Sequence, residues 1–220
     1  MFQIKNKDFL IREFLPSDYE ALLSIADSIN NQAENKTGYQ PFYAFQVSKK
    51  KQDYFTVLQQ KTKRFLSLAL CEKDVEPRKT YRLALCNNQN RVIGNITIDV
   101  LPSLDENGNK LYGDVGYFID PNYGRKGLMS RALAHVLNVY FKNNEMLDIT
   151  IHPNNLYSIK MMQRFNAKVV DFKPESSYGN EPRLVLKLSR ADFLLSRKPI
   201  YITTKKQPPN NNNKGRIKDV

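Results

Sequence analysis

A strand that stops at a proline and turns through two glycines into an amphipathic helix constrains the fold more than any other feature of this sequence. The alternating run from Gly113 to Asp120 predicts a strand, and Pro121 ends it because proline cannot donate to a strand ladder. The helix predicted from Lys126 to Phe141 has one apolar face. That face consists of Leu128, Ala132, Leu133, Val136, Leu137 and Tyr140. The change from a strand pattern to a helix pattern indicates an α/β protein.

The other periodic segments extend this unit into an α/β domain. Further helices are predicted after Pro16, across Phe45 to Leu70 and across Asn155 to Phe165. The further predicted strands are Phe9 to Phe14, Thr80 to Cys86, Arg91 to Val100, Leu147 to Ile151, Lys168 to Phe172 and Arg183 to Leu188. The order β-α-α-β-β-β-α-β-α-β-β predicts a mixed, largely antiparallel sheet flanked by helices.

Length and charge divide the chain into a folded domain and a tail. The 220 residues suit one domain, which we place at 1–195. Residues 196–220 contain the run Gln207 to Gly215, which is too polar to offset the entropy of ordering, so we expect a basic, Asn-rich, disordered tail. The net charge is +12. A basic surface attracts nucleic acid, acidic proteins or phosphates, which leaves contact with a ribosome open, although the charge also serves solubility.

Several classes of protein do not fit this sequence. Cys71 and Cys86 are too few for a disulfide framework, which favours a reducing compartment. With only His135 and His152 beside them, no metal-ligand spacing is present, and we expect no metal site. The longest apolar run, Phe65 to Cys71, is too short to span a membrane, and the N-terminus lacks the apolar core of a signal peptide. We expect a cytoplasmic protein, or one exported by a route that leaves no N-terminal mark.

The turn from Gly124 to Met129 has the chemistry of a phosphate-binding site. The first N–H groups of a helix lack intrahelical partners, and the helix dipole makes that end attractive to phosphate oxygens. Gly127 has no Cβ to block a pyrophosphate, while Arg125 and Lys126 add positive charge. Two glycines before a helix also occur in ordinary strand-to-helix turns. The residues of this turn alone therefore leave both interpretations open.

Motifs along the whole chain resemble the GNAT superfamily of acyl-CoA N-acyltransferases. The turn from Gly124 to Met129 is similar to that family's cofactor motif, R/Q-x-x-G-x-G/A, and Asn155 to Ser158 looks like its N-x-x-S element. The segments Leu10 to Asp18 and Leu188 to Phe193 look like the two ends of the Rim-type branch, which acetylates the N-termini of ribosomal proteins. The resemblance spans residues 9–195 and implies an N-acetyltransferase that uses acetyl-CoA as co-substrate.

The chain departs from the family pattern at a few positions. Gly124 stands where the family usually has Gln or Arg, and Met129 stands where it usually has Gly or Ala. After the helix that begins near Asn155, Phe165 to Ala167 replaces the usual L-G-F. We expect Asn166 to keep the left-handed conformation needed there, because asparagine tolerates it best among residues other than glycine. The departures leave open a catalytically silent acyl-CoA-binding module.

The resemblance implies cofactor contacts for named residues. In the family's fold the pantetheine lies between the fourth and fifth strands, which splay apart. The implied contacts are the backbone of Tyr117, Phe118 and Ile119, the side chain of Asn155, and the turn residues Gly124, Arg125, Lys126, Gly127, Leu128 and Met129.

Catalysis needs a base for the attacking amine and an acid for the departing thiolate. Many family members have a tyrosine acid seven residues after the asparagine, where this chain has Met162, so we assign the acid role to Ser158. Asp114 and His152 are the candidate bases: Asp114 shares a strand face with Gly116, and a histidine titrates near neutrality. Ser158, Asp114 and His152 also have plain structural interpretations. They would then be a helix-start serine, a strand-edge charge and a loop residue, respectively.

Charge and pKa indicate only the general class of the acceptor amine. Deprotonating an α-amine of pKa near 8 at pH 7 costs about 1.4 kcal/mol, against about 4.6 kcal/mol for a lysine. A site without a strong base therefore suits an N-terminal amine, and a basic chain suits a protein or peptide better than a cationic small molecule. Acetylation of a polyamine or aminoglycoside and a silent binding module stay open as alternatives. The sequence also leaves open a homodimer and the role of the tail.

Overall fold

The computed structural model of the chain describes residues 2–33, 45–47, 52–100, 103–104, 110–111, 113–174 and 181–197. Within these ranges the chain forms ten strands and five α-helices. The strands are β1 (Gln3–Lys5), β2 (Leu10–Glu13), β3 (Thr80–Cys86), β4 (Val92–Asp99), β5 (Ser103–Leu104), β6 (Lys110–Leu111), β7 (Val115–Ile119), β8 (Met146–Ile151), β9 (Lys168–Lys173) and β10 (Arg183–Ser189). The helices are α1 (Tyr19–Ala33), α2 (Tyr54–Glu72), α3 (Leu128–Tyr140), α4 (Leu156–Arg164) and α5 (Arg190–Ser196).

The strands form two main sheets with antiparallel pairing. The larger sheet has the order β1-β2-β3-β4-β7, and the smaller one has the order β8-β10-β9. A separate pair is formed by β5 and β6. Ile96 of β4 lies opposite Tyr117 of β7, and Ile149 of β8 lies opposite Leu186 of β10. The predicted α/β fold, with a largely antiparallel sheet flanked by helices, is confirmed.

One side of the two sheets packs against α3, α4 and α5. The helices contribute completely buried side chains to this core: Leu133 and Leu137 from α3, Met162 from α4 and Phe193 from α5. Most of the apolar face predicted for α3 is buried there, while Leu128 packs at its edge. Amphipathic helices are stabilised by burying such a face against a sheet. The predicted pattern of α3 therefore gives its orientation correctly.

The other side of the larger sheet packs against α1 and α2. Three aromatic rings, Phe45, Phe65 of α2 and Phe118 of β7, contact each other at tilted angles, with centroids 5.3, 5.4 and 6.0 Å apart. Such pairs add to the stabilisation that comes from area burial alone. The cluster anchors a part of the α1–α2 connection directly on β7.

The helix predicted from Phe45 to Leu70 begins instead at Tyr54. The segment before it is held outside α2 by the buried side chain of Asn30. Its amide nitrogen donates to the Phe45 carbonyl at 2.8 Å, and its amide oxygen accepts the Val47 N–H at 3.0 Å. Buried backbone groups must find partners, and here a side chain from α1 supplies them. Phe45 is therefore buried by contacts with distant residues and not as part of the apolar face of a helix.

The two ends of the described chain also differ from the prediction. Ahead of β2 lies the unpredicted strand β1, with Ile4 opposite Ile11. After β10 the chain forms the unpredicted helix α5. Ser189 begins this helix, because its Oγ accepts the Asp192 N–H at 3.0 Å, as an N-cap does.

Some expectations fall on residues outside the described ranges. The tail predicted at 196–220 is outside them from residue 198 onward, and the domain boundary near 195 stays a prediction. In the part of the chain that the structure describes, no helix has the length and apolarity to cross a membrane. Across those same ranges, no group of three or more His, Cys, Asp or Glu side chains is arranged to hold a metal ion.

Asn166 ends α4 in the left-handed conformation, as predicted, with a φ of 67°. Its N–H donates to the Gln163 carbonyl at 2.9 Å, and the N–H of Ala167 donates to the Met162 carbonyl at 3.1 Å. This pair of bonds is the Schellman motif, in which glycine is unstrained because it has no Cβ and asparagine tolerates the left-handed angle best among the other residues.

We expect Asn166→Ala to lower the free energy of unfolding by about 1 kcal/mol, measured by urea denaturation. Asn166→Gly is the matched control, because both variants lose the exposed bond from the Asn166 amide to the Asp192 carbonyl. The glycine variant should unfold at a higher urea concentration than the alanine variant, since only alanine is strained at this backbone angle. Equal midpoints for the two variants would contradict this account of the turn.

Candidate active site

Strand pairing is interrupted between β7 and β8, and we call this interruption the gap between the two sheets. β7 is an outer strand of the larger sheet and β8 is an outer strand of the smaller one, and no ladder joins them in the described part of the chain. They are tied at the start of β7, where the Asp114 carboxyl accepts the N–H groups of Val115, at 2.7 Å, and of Thr150 in β8. The strands are thus joined at one end and unpaired along the rest.

The turn that follows β7 is fixed by hydrogen bonds. The Asp120 carboxyl accepts the Asn122 N–H at 2.9 Å, and the Gly124 N–H donates to the Pro121 carbonyl at 3.1 Å. A Cβ on Gly124 would lie 3.1 Å from that carbonyl oxygen. This is closer than nearly all Cβ contacts, so the glycine that departs from the family pattern suits the tight turn.

Two residues of this turn have left-handed backbone conformations. Arg125 has a φ of 61° and Gly127 has a φ of 69°. Gly127 is the N-cap of α3, and the first helical bond runs from the Arg131 N–H to the Gly127 carbonyl at 3.0 Å. The N–H groups of residues 128–130 therefore have no intrahelical acceptor. Successive N–H groups of this kind form a concave site for anions.

The turn has the space and the charge that an anion-binding site needs. Gly127 places no Cβ at its mouth, and the cations of Arg125 and Lys126 are exposed beside it. Met129 is only 8% exposed, because its side chain packs in the core beneath α3. Its backbone N–H is therefore the group that can reach a phosphate. The guanidinium of Arg125 lies 5.9 Å from the centroid of the Tyr157 ring, which brings the turn next to the first turn of α4.

There is open space beside Gly116 in the middle of β7. Successive residues of a strand face opposite sides. Phe118 packs against the aromatic cluster under α1 and α2, on the same side as Gly116 and Asp114. No atom lies within 4 Å of the position that a Cβ on Gly116 would take. The residues that pack against the core beneath α3, on the other side, are Val115, Tyr117 and Ile119.

The carboxyl of Asp114 is a much weaker acid than an ordinary aspartate. Burial raises its pKa from 3.8 to about 7, and the charges of Asp99 and Asp148 act in the same direction. The N–H groups of Val115 and Thr150 oppose the rise, because they stabilise the ionised form. A carboxyl that titrates near neutrality is matched to general base catalysis at physiological pH.

The first turn of α4 holds the predicted asparagine and serine. The Asn155 side-chain oxygen accepts the Ser158 N–H at 3.2 Å and so caps the helix. Ser158 is partly exposed, and its hydroxyl makes no hydrogen bond with any residue that the structure describes. Met162, at the position where many family members have a tyrosine acid, is completely buried in the core.

His152 follows β8 and is 7% exposed. Its Nδ1 accepts the Asn154 N–H at 3.1 Å, and its Nε2 lies 3.3 Å from a carboxylate oxygen of Glu181. Both ring nitrogens are therefore engaged. In the neutral ring this arrangement leaves Nε2–H as the donor to Glu181.

The structure brings the candidate residues into two groups. Asp114 is joined to β8 through Thr150, two residues before His152. The turn around Arg125 is joined to the start of α4 through Tyr157. Sequence reasoning missed Thr150 and Tyr157, because neither contact has a local signal. The glycine inside β7, in contrast, is the kind of signal that marks a close approach or an open site.

A family model and several solved structures match this chain. The model of the GNAT acetyltransferase domain matches residues 8–168, which include both the turn before α3 and the whole of α4. No protein of curated function matches the sequence significantly.

The solved structures with this fold include acetyltransferases named for ribosomal proteins. RimJ of Mycobacterium smegmatis, in complex with CoA-disulfide, is 13% identical, with a TM-score of 0.62 over 84% of this chain and 83% of its own. The ribosomal-protein-S5-alanine acetyltransferase of Vibrio fischeri is 18% identical, with a TM-score of 0.59 over 88% and 99% of the two chains. The microcin C7 self-immunity acetyltransferase MccE, in complex with acetyl-CoA and AMP, is 12% identical, with a TM-score of 0.59 over 84% and 93%. At these identities the likeness concerns the fold.

The family model covers most of the chain, and the fold agrees with it. The glycine at the N-cap of α3, the unbonded N–H groups and the gap between β7 and β8 are features that fit acetyl-CoA, the co-substrate of the family. The chain belongs to the GNAT acetyltransferase family and is an acetyl-CoA-dependent N-acyltransferase.

Proposed function

We propose that this enzyme acetylates a primary amine of a protein or peptide, with an N-terminal α-amine as the best-suited acceptor. The observation that carries the proposal is the position of Asp114. Its carboxyl, with a pKa of about 7, shares a side of β7 with Gly116, beside which there is open space. A base of this strength is better matched to an α-amine, with a pKa near 8, than to a lysine side chain near 10.4.

Named residues would hold the acetyl donor. Acetyl-CoA supplies the acetyl group as a thioester. The N–H groups of residues 128–130, with Arg125 and Lys126, would bind its pyrophosphate. The backbone of Tyr117–Ile119 would bind the pantetheine, because β7 is an outer strand with groups facing the gap. Asn155 would contact the pantetheine through its amide nitrogen, since its oxygen caps α4.

Asp114 and Ser158 divide the proton transfers. In its ionised form, Asp114 accepts a proton from the acceptor ammonium, which frees the amine for attack. The Ser158 hydroxyl donates a proton to the sulfur that leaves and regains one from the amine nitrogen, which loses its second proton as the amide forms. Ser158 lies in the first turn of α4, where the helix dipole also stabilises negative charge.

Charge and structural relatives support a protein acceptor. The net charge of +12 attracts an acidic or ribosome-bound protein and repels polyamines or aminoglycosides. One relative of the same fold is named as an acetyltransferase of a ribosomal protein's alanine. A ribosome-bound acceptor would place the reaction in the cytoplasm.

Two measurements test the proposal. Acetyl-CoA in the micromolar range should raise the Tm of the purified protein, because a ligand at 100 times its Kd stabilises the folded state by about 2.7 kcal/mol. Thiol release should then follow peptides with a free N-terminus, whereas the same peptides with a blocked N-terminus and an internal lysine should release little.

The other outcomes point elsewhere. Turnover of polyamines without turnover of peptides would replace the proposal with small-amine acetylation. A Tm shift without turnover of any amine would indicate a silent acyl-CoA-binding module. Acetyl-CoA labelling of a cell lysate, with mass spectrometry of the acetylated sites, would identify the acceptor.

A further inference from the structure

His152 is built into the turn that connects β8 to α4. Its carbonyl accepts the Asn155 N–H at 2.8 Å, and its Nδ1 accepts the Asn154 N–H at 3.1 Å. One residue thus binds two successive N–H groups of the turn. Because the ring is only 7% exposed, it is held in place by packing as well as by these bonds.

This turn sets the position of Asn155 and of the helix that follows. The Asn155 carbonyl accepts the Ile159 N–H at 3.1 Å, and its side-chain oxygen accepts the Ser158 N–H at 3.2 Å. Both of these bonds at the start of α4 therefore depend on where Asn155 is held. A shift of this turn would move Asn155 and Ser158 together.

The other side of the ring is attached to a different element. Nε2 lies 3.3 Å from a carboxylate oxygen of Glu181, just before β10. With Nδ1 accepting from Asn154, the neutral ring donates from Nε2 to Glu181. A general base needs a lone pair directed at the substrate, whereas here the Nδ1 lone pair is directed at a backbone N–H.

We infer that His152 is a positioning residue, which fixes Asn155 and the first turn of α4 for acetyl-CoA through the acceptor at Nδ1. The inference rests on the proposed roles of Asn155 and Ser158. It assigns His152 to the binding of the acetyl donor and leaves proton acceptance to Asp114.

Amide substitutions at His152 separate the two roles. The Oδ1 of asparagine occupies nearly the place of Nδ1 and accepts the Asn154 N–H without titrating, whereas the glutamine amide extends toward the place of Nε2. We expect His152→Ala and His152→Gln to raise the KM for acetyl-CoA about 10-fold, as the loss of one buried hydrogen bond does. His152→Asn should recover most of that loss, and the acid limb of the pH profile should persist in all three variants.

Amide hydrogen exchange gives a readout that does not need turnover. The N–H groups of Asn154 and Asn155 should exchange faster in His152→Ala than in the wild type, and His152→Asn should restore protection. Urea denaturation without acetyl-CoA controls for global stability.

Two outcomes would overturn the inference. If His152→Asn loses kcat as severely as His152→Ala, together with a limb of the pH profile, His152 acts as a base. If His152→Ala leaves both the KM and the exchange rates unchanged, the ring positions nothing. A wild type that binds no acetyl-CoA would instead refute the proposed function, and the exchange experiment would still decide the role of His152 in the turn.

Discussion

Asp114→Asn should lower kcat at pH 7.5 by at least about 100-fold, the usual contribution of a general base. Asparagine has nearly the same shape, and its oxygen still accepts an N–H group at the junction of β7 and β8. It cannot accept a proton. Steady-state kinetics with a peptide acceptor measure this loss, and the KM for acetyl-CoA should change much less than kcat.

The pH profile identifies the group. Wild-type Asp114 must be ionised to accept a proton, so kcat/KM should fall as the pH drops through about 7. In Asp114→Asn this acid limb should disappear. A variant that keeps both the rate and the limb would assign the base to another residue.

Asp99 offers a matched control on a neighbouring strand. Its charge raises the pKa of Asp114, and its carboxyl accepts the Thr80 hydroxyl at 2.6 Å. Asp99→Asn removes the charge but keeps an oxygen for Thr80. The acid limb should then move to a lower pH, while kcat at pH 8 stays within about 3-fold of the wild type, because Asp114 is largely ionised at that pH with or without the charge of Asp99.

The same carboxyl affects stability. Because its folded-state pKa is raised from 3.8 to about 7, the unfolded chain loses this proton at a lower pH than the folded chain. The stabilisation by the neutral carboxyl is therefore complete below pH 3.8 and is lost as the pH rises through 7. In that window, one such group lowers the free energy of unfolding by up to about 1.4 kcal/mol per pH unit. Urea denaturation between pH 5 and 8 should show a flatter dependence for Asp114→Asn.

Gly127→Val should weaken the binding of acetyl-CoA by about 100-fold or more, which is about 2.7 kcal/mol, and abolish its Tm shift at micromolar concentration. The backbone there has a φ of 69°, which a β-branched residue adopts only with strain. The new Cβ would lie 3.3 Å from a guanidinium nitrogen of Arg131. The added methyl groups would lie beside the N–H groups at the start of α3, where the pyrophosphate is proposed to bind.

Two control variants separate backbone strain from obstruction. Gly127→Asn tolerates the left-handed angle, so it should fold with a near-normal Tm and still bind acetyl-CoA poorly. Gly124→Ala adds a Cβ at an ordinary φ of −63°, and should cost stability at the Pro121 carbonyl more than affinity. Wild-type affinity in Gly127→Asn, by isothermal titration, would place the pyrophosphate elsewhere.

Local patterns were predicted well wherever neighbours in sequence decide the structure. The observed helix α3 begins two residues after the predicted start at Lys126 and ends one before the predicted end at Phe141. Asn166 stands in place of the glycine in the family's L-G-F, which predicts a left-handed angle, and the angle is observed. These features depend on backbone preferences and on periodicity within a few residues.

Features that depend on contacts between residues far apart in the chain were not predicted correctly. The start of α2 is displaced because the Asn30 side chain binds the backbone around Phe45, fifteen positions away. The role of Tyr157 beside Arg125 is equally invisible in sequence, because the two residues come from opposite sides of β8 in the chain. No local pattern encodes which distant backbone group a polar side chain will satisfy.

Sequence alone determined the strand, the glycine-bearing turn and the helix of the proposed cofactor site, because each follows from local backbone chemistry. It also indicated the family, through the spacing of the turn and the N-x-x-S element. Only the tertiary structure decided the chemistry of Asp114. Its pKa is raised mainly by burial, and it also depends on Asp99, Thr150 and Asp148, which the fold brings to it from two other strands. A pKa is set by the surroundings in space, and residues far apart in the chain supply most of those surroundings.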